Sequence, residues 1–204
     1  KMFPPALAAL LVASVFLYAF GLVLNDLMDL REDRVARPKR PLPSGAVKTT
    51  HAALAAAGLA LAALAICACL GLRVLVFGGA IFLAVTAYNT AVKHIPVAGS
   101  LNMGACRGLN VLLGASLAPA FTPLSFTAAA VITAYITGVT LLARNETQNP
   151  RIPPLIGKLI RALILIQAIF CALAGGVAGW VCAAILVLAL WPLSRIVGKK
   201  FYGS

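Results

Sequence analysis

The sequence predicts an all-α fold, a polytopic bundle of transmembrane helices, and three observations support that prediction. The 204 residues are 62% hydrophobic and only 11% charged, whereas about a quarter of the residues in a soluble domain are charged. The mean hydropathy is +0.99. The apolar residues also lie in runs that reach the roughly 20 residues needed to cross a bilayer. These observations exclude an ordinary water-soluble domain.

Seven apolar runs predict the transmembrane helices in chain order. They cover residues 4–30, 51–72, 74–92, 101–120, 124–143, 155–173 and 177–197. Most prolines lie between these runs or near their ends, as at Pro119 and Pro123, and Gly175 and Gly176 separate the last two runs, which is typical of turns. Because the linkers are short, we expect a single transmembrane domain over residues 1–204.

The positive charges lie on one side of the predicted spans. If the first span ends in the cytoplasm, alternation of the spans places every Lys and Arg on or near that side except Lys1 and Arg73. Cytoplasmic loops of membrane proteins are enriched in these residues. We therefore expect an integral protein of a bacterial or archaeal cytoplasmic membrane. Topology explains the net charge of +12, so we expect no nucleic-acid partner.

Four of the five acidic residues lie together at the end of the first span, namely Asp26, Asp29, Glu32 and Asp33. Asp26, Asp29 and Asp33 are spaced i, i+3, i+7, so on a continuing helix they share one face, which Asn25 joins. Carboxylates so close together repel one another unless a cation lies between them. Oxygen ligands of this kind suit Mg²⁺. The spacing favours a magnesium site, and the alternative is a solvated helix end.

A run of basic residues follows the acids directly and contains Arg31, Arg34, Arg37, Lys39 and Arg40. Guanidinium groups bind phosphate oxygens through paired hydrogen bonds. Acids and bases together at a membrane surface predict a site for a magnesium-bound diphosphate. In the alternative interpretation, the basic residues only neutralise the helix end.

Two motifs give this region a resemblance to a known family. The acidic segment matches N-D-x-x-D-x-x-x-D, since it reads NDLMDLRED from Asn25 to Asp33, and RPKRPLPSG follows from Arg37 to Gly45. The sequence therefore resembles the UbiA superfamily of intramembrane prenyltransferases. The resemblance implies that the acidic motif holds Mg²⁺ and the diphosphate of an isoprenoid donor, and that the basic loop closes over it. It also implies a nine-helix fold, with a further helix expected at each end of the seven visible spans.

The resemblance implies further site residues beyond the first motif. Tyr88 and Lys93 resemble the part of the family in which a lysine approaches the diphosphate. Asn102 and Arg107 follow, and we expect them near a helix start on the same side of the membrane. In the alternative interpretation, Lys93 only sets the topology.

The sequence departs from the family at the second aspartate-rich motif, two helices further along. The segment 143–149 reads ARNETQN there, and Glu146 is its only carboxylate. We expect Glu146 to complete the site, with Arg144 supplying positive charge in place of a second magnesium ion. The alternative is a loop acid that pairs with Arg144 or Arg151.

Taken together, these patterns predict a magnesium-dependent membrane prenyltransferase that joins an isoprenyl diphosphate to a lipophilic or aromatic acceptor, with its site facing the cytoplasm. The residues expected to act in catalysis are Asp26, Asp29, Lys93 and Glu146. The expected metal ligands are Asp26, Asp29, Asp33 and Glu146. The expected substrate-binding residues are Asn25, Asp33, Arg37, Arg40, Tyr88, Asn102, Arg107, Arg144 and Asn145.

Two other functions remain open at this point. One is a membrane terpene cyclase of the same superfamily, in which the allylic cation is captured by its own chain. The other is a non-catalytic protein that binds or transports a lipid or a cation. A transporter is expected to carry charged groups near the middle of the membrane, and the predicted spans are nearly free of charge.

Overall fold

A computed structural model describes residues 4–144 and 152–194, and every described element is helical. The helices are α1 (Pro4–Met28), α2 (Leu30–Ala36), α3 (Thr49–Leu70), α4 (Leu72–Ala87), α5 (Pro96–Ala115), α6 (Pro123–Ala143), α7 (Ile152–Leu173) and α8 (Gly176–Ile185). Single π-helical turns extend α4 over Tyr88–Val92 and α8 over Leu186–Leu190. The predicted all-α class is confirmed.

Within the described ranges, six helices are long and apolar enough to cross a membrane, which confirms an integral membrane protein. The fourth predicted span, at residues 101–120, is the exception. It corresponds to α5, which has 20 residues but carries Asn102, Arg107 and Asn110 along its length. Helix α5 also begins at Pro96, earlier than predicted, because proline is favoured in the first turn of a helix.

The chain forms two compact units, Lys1–Thr133 and Ala134–Ser204, and the boundary falls within α6. In the first unit, α1 packs most extensively against α3. The face of α3 at this contact is made of small residues, and Ala52, Ala56, Ala60 and Ala63 are all buried. Small side chains let helix backbones approach closely where lipid supplies no hydrophobic drive between helices.

Two glycines mark other close approaches in the first unit. A Cβ atom on Gly78 would lie 2.7 Å from Cys67 Sγ, so α4 and α3 meet there. A Cβ atom on Gly108 of α5 would lie 2.9 Å from the carbonyl oxygen of Ala129. Gly71 has a φ of 123° and forms the tight turn between α3 and α4, a conformation that favours glycine.

The apolar core of the first unit lies between α1, α3, α4 and α5. Leu17, Cys67 and Leu113 are almost completely buried in it. The rings of Phe20 and Phe82 stack with centroids 5.3 Å apart and join α1 to α4. These contacts hold the C-terminal halves of α1 and α4 side by side, and that arrangement places the acidic segment next to the π turn after α4.

The second unit contains the end of α6 together with α7 and α8. Helix α7 packs against α8 and its π-helical extension. The Tyr135 hydroxyl donates a hydrogen bond of 2.8 Å to the carbonyl oxygen of Leu159, which joins α6 to α7 within this unit.

Candidate diphosphate site and adjoining cavity

The acidic segment is helical with one interruption. Helix α1 ends at Met28 and α2 begins at Leu30, with Asp29 between them at φ −86° and ψ 2°. The backbone N–H of Asp29 still donates to Asn25 (2.9 Å), and that of Asp33 donates to Asp29 (2.8 Å). The prediction of an uninterrupted helix is therefore wrong at one residue, while the helical register continues through the break.

The carboxylates of Asp26 and Asp33 lie on one side of this segment, because both contact the same nitrogen of Arg40. Arg40 Nη1 is 2.7 Å from Asp33 Oδ2 and 3.4 Å from Asp26 Oδ1. Arg37 Nη1 lies 3.9 Å from Asp33 Oδ1. Asp33 is only 5% exposed, so the basic loop covers this carboxylate with two guanidinium groups.

The loop is held in this position by its own backbone. The N–H of Arg40 donates to Arg37, and the N–H of Ser44 donates to Arg40, at 3.1 and 2.9 Å. Gly45 has a φ of 78°, in the left-handed region that glycine tolerates best. The RPKRPLPSG segment is thus a compact turn that returns toward the end of α1.

Lys93 reaches the acidic segment from the other side. Its Nζ contacts Asp29 Oδ1, and the side chains of both residues are largely buried. The π-helical turn positions the lysine, since its backbone N–H donates to Tyr88 at 3.0 Å. Isolated π turns occur frequently at functional sites. The structure therefore brings together Asp29 and Lys93, which are 64 residues apart in the chain.

A cavity of about 310 Å³ lies beside these ion pairs, between α1, α4, the π turn and α5. Its walls are apolar over much of their length and include Leu17, Leu22, Ile81 and Val85. Asn25 and Tyr88 line one end of the cavity, next to the acidic segment. The volume falls at the lower end of the range for small-molecule sites, about 300 to 1,000 Å³.

Arg107 lies further along its helix than predicted. Because α5 begins at Pro96, Arg107 is about three turns into the helix, roughly 16 Å from its start at 1.5 Å per residue. The expectation that it lies near a helix start is therefore wrong. Its guanidinium carbon is 5.5 Å from the centre of the Tyr18 ring, and both residues line the cavity.

Asn89 is a cavity residue that the sequence patterns did not single out. It is 5% exposed, and its Nδ2 donates to the carbonyl oxygen of Val85 at 2.9 Å. Its Oδ1 is buried without a hydrogen-bond partner in the described part of the chain. Buried polar atoms are rarely left in this state. A polar residue within the apolar run before Lys93 was the available signal.

Several other predicted residues lie elsewhere. Asn102 is half-buried on α5, where its Oδ1 accepts a hydrogen bond from Cys106 Sγ at 3.5 Å, and it does not line the cavity. Arg144 is at the exposed end of α6, in the second unit. Asn145 and Glu146 lie outside the described residues.

The carboxylates of the first motif suit a magnesium ion by their chemistry. Within the described ranges, no group of three or more His, Cys, Asp or Glu side chains is placed to share a metal, and the carboxylates of the motif pair with Arg40 and Lys93 instead. Asp26 and Asp33 nevertheless aim oxygens at one cationic nitrogen. Mg²⁺ prefers carboxylate oxygens as ligands. The two aspartates therefore fit the ion if the Arg40 side chain moves away from them.

Comparison with known proteins gives concordant matches. The model of the UbiA prenyltransferase family matches residues 1–200. Among curated relatives, the digeranylgeranylglyceryl phosphate synthase of Methanosarcina barkeri is 35% identical over 126 residues, which cover 56% of this chain and 40% of the relative. The enzyme of the same name from Methanoculleus marisnigri is 32% identical over 120 residues, with the same coverage. The matches thus span about two fifths of each relative's length.

A solved structure shares the fold. It comes from work on digeranylgeranylglyceryl phosphate synthase in membranes, and it superposes with a TM-score of 0.61 at 16% identity. The superposition covers 98% of this chain and 81% of that one. The fold of the chain therefore has a counterpart among solved structures.

Proposed function

The chain belongs to the UbiA prenyltransferase family, and we propose that it transfers an isoprenyl group from an isoprenyl diphosphate to a lipophilic acceptor, with Mg²⁺ as cofactor. One observation carries the proposal. The acidic segment and the cations that pair with it, Arg40 and Lys93, lie next to one end of a cavity whose walls are largely apolar. A diphosphate head and an isoprenoid tail require this combination.

The ion pairs have a direct role in the proposed site. Arg40 and Lys93 neutralise carboxylates in the described structure. Magnesium held by Asp26, Asp29 and Asp33 would supply positive charge to the diphosphate oxygens and to the leaving group. Both cations then become available to the remaining diphosphate oxygens, which they bind through charge-assisted hydrogen bonds.

The reaction separates charge where these cations lie. The bond between the allylic carbon and the diphosphate oxygen breaks, and its electron pair leaves on the diphosphate. The acceptor oxygen forms the new bond to that carbon and releases its proton. Arg40 and Lys93 are placed to stabilise the negative charge that grows on the leaving diphosphate, and groups preorganised in this way favour the transition state. The apolar cavity walls keep water from the allylic carbon.

The relatives' names point to a specific pair of substrates. We propose geranylgeranyl diphosphate as the donor and geranylgeranylglyceryl phosphate as the acceptor, because one transfer between them gives digeranylgeranylglyceryl phosphate. We also propose that the site faces the cytoplasm, since the basic loop follows α1 directly. We also propose a role for Glu146, Arg144 and Asn145. Only the resemblance of their segment to the second motif of the family supports that role.

The test uses the full-length protein in lipid nanodiscs. It is incubated with radiolabelled geranylgeranyl diphosphate and geranylgeranylglyceryl phosphate, with Mg²⁺ or with EDTA, and the lipids are separated. We expect a magnesium-dependent product that carries both chains. Lys93→Gln should reduce its formation about 100-fold, the loss typical of one group that stabilises transition-state charge.

Two results would overturn the proposal. The first is a cyclic hydrocarbon formed at the same rate with and without the acceptor, which would indicate a terpene cyclase. The second is a parent protein that binds the donor with magnesium but converts none of it with any lipid acceptor, which would indicate a binding protein. Arg34→Gln is the matched control, because Arg34 is exposed on α2 and lies outside the proposed site.

A further inference from the structure

A polar group of four residues interrupts the apolar wall of the cavity below the diphosphate site. Tyr18 and Ser14 contribute from α1, and Arg107 and Asn110 contribute from α5. Ionisable residues within membrane-spanning structure are costly and usually serve a function. In the described part of the chain, no carboxylate lies within ion-pair distance of Arg107. The described contact of its positive charge is with the face of the Tyr18 ring.

The hydrogen bonds in this group leave donors facing the cavity. Ser14 Oγ donates to Asn110 Oδ1 at 2.7 Å, so the acceptor atom of that amide is already occupied. In the described part of the chain, no hydrogen bond engages Asn110 Nδ2 or the Arg107 guanidinium one turn before it on α5. Their N–H groups and the positive charge of Arg107 favour an oxyanion.

This group is separate from the proposed diphosphate site. Tyr18 precedes Asp26 by eight residues, so it lies about 12 Å deeper along α1 at 1.5 Å per residue. A diphosphate bound at the carboxylates spans only a few ångströms and does not reach Arg107. The anion that fits here therefore belongs to a different molecule in the same cavity.

We propose that Arg107 and Asn110 bind the phosphate group of the acceptor lipid. The inference rests on the proposed function and names a recognition element for it. The phosphate does not react, because the transferred chain joins a hydroxyl of the acceptor. Its role is to hold that hydroxyl at a set distance from the donor.

An acceptor that carries a phosphate, as in a glyceryl phosphate, matches the donors of Arg107 and Asn110. A neutral lipid alcohol lacks the group that they would bind.

The experiment compares two acceptors that differ only in the phosphate, geranylgeranylglyceryl phosphate and geranylgeranylglycerol. Initial rates give KM and kcat for each with the full-length protein. We expect Arg107→Gln to raise KM for the phosphate acceptor roughly 10- to 100-fold, the usual loss for a hydrogen bond to a charged group, with little change in kcat. We expect KM for the neutral acceptor to stay unchanged. Arg107→Lys should recover most of the affinity.

Matched variants separate this role from a structural one. Arg73 lies in the first turn of α4, at the end away from the π turn, and it donates a hydrogen bond to the carbonyl oxygen of Pro119 at 2.9 Å. Arg73→Gln should therefore leave both KM values unchanged. Asn110→Ala should raise KM for the phosphate acceptor severalfold, and it provides the test if Arg107→Gln does not fold.

Three outcomes would overturn the inference. They are equal KM values for the two acceptors in the parent, an equal loss for both acceptors in Arg107→Gln, and a parent that prefers a carboxylate acceptor to the phosphate one. Failure of the proposed function is a different result, since the parent then makes no transfer product. In that case, thermal stabilisation of the parent by geranylgeranylglyceryl phosphate alone, absent in Arg107→Gln, still supports the anion site. Equal stabilisation of the two proteins refutes it.

Discussion

Removal of the Arg40 guanidinium tests how the acidic segment is held before substrate binds. In Arg40→Gln, Asp26 and Asp33 lose their contacts at 3.4 and 2.7 Å. The Asp33 side chain is only 8% exposed, and its remaining cation is Arg37 at 3.9 Å. A buried charge without its partner is strongly destabilising, by about 3 to 5 kcal/mol for a fully buried pair.

The expected cost is smaller here because the arginine is partly solvated. The Arg40 side chain is 38% exposed, and exposed ion pairs contribute only about 0 to 1 kcal/mol. Arg37 also remains near Asp33. Between these limits we expect a loss of about 1 to 2 kcal/mol, or a fall in Tm of roughly 2 to 8 °C for a protein of this size.

Thermal unfolding in detergent provides the measurement, and a double mutant isolates the pair. Asp33→Asn in the Arg40→Gln background removes the stranded charge, so we expect it to recover most of the lost stability. The control Arg34→Gln should leave Tm nearly unchanged, because Arg34 is exposed on the same helix as Asp33. A double mutant that is less stable than Arg40→Gln would refute the reasoning, since Asp33 would then gain nothing from its guanidinium partner.

Three further predictions concern the proposed site. Magnesium together with diphosphate should stabilise the folded protein by about 2.7 kcal/mol at a hundredfold excess over Kd, which is seen as a rise in Tm. Asp26→Asn and Asp29→Asn should each remove that rise. An unchanged rise in both variants would contradict the metal site. Single cysteines placed in residues 31–48 should react with an impermeant thiol reagent only after the inner membrane face is opened. Labelling of these cysteines in intact cells would contradict the predicted topology. Glu146→Gln should lower turnover far more than Tm, whereas equal activity in both proteins would exclude its segment from the chemistry.

The sequence predicted the local part of the candidate site because that part depends on residues close together in the chain. The spacing of Asp26, Asp29 and Asp33 fixes their helical face, and the single interruption at Asp29 leaves Asp26 and Asp33 beside one another. The basic loop follows within a few residues, so its arginines can reach those carboxylates. Apolar run length likewise predicts membrane-crossing helices, because the bilayer sets the length they need.

The start of α5 shows where local patterns were insufficient. Hydropathy placed the helix at residue 101, because its polar residues and glycines weaken the apolar signal. The proline that begins the helix at residue 96 was a usable signal for an earlier start. With the earlier start, Arg107 moves from the membrane surface into the wall of the cavity, and its expected role changes with it.

By itself, therefore, the sequence determined the helical class, the acidic motif and its basic loop, since each follows from composition or from spacing over one or two turns. Only the tertiary structure decided that Lys93 meets Asp29, that Arg107 lies over Tyr18, and that Asn89 Oδ1 is buried without a partner in the described part of the chain. Each of these depends on how separate helices pack, and small residues of α3 and Gly78 of α4 let the helices approach closely. The periodicity of one helix does not predict which residue of another helix will contact it.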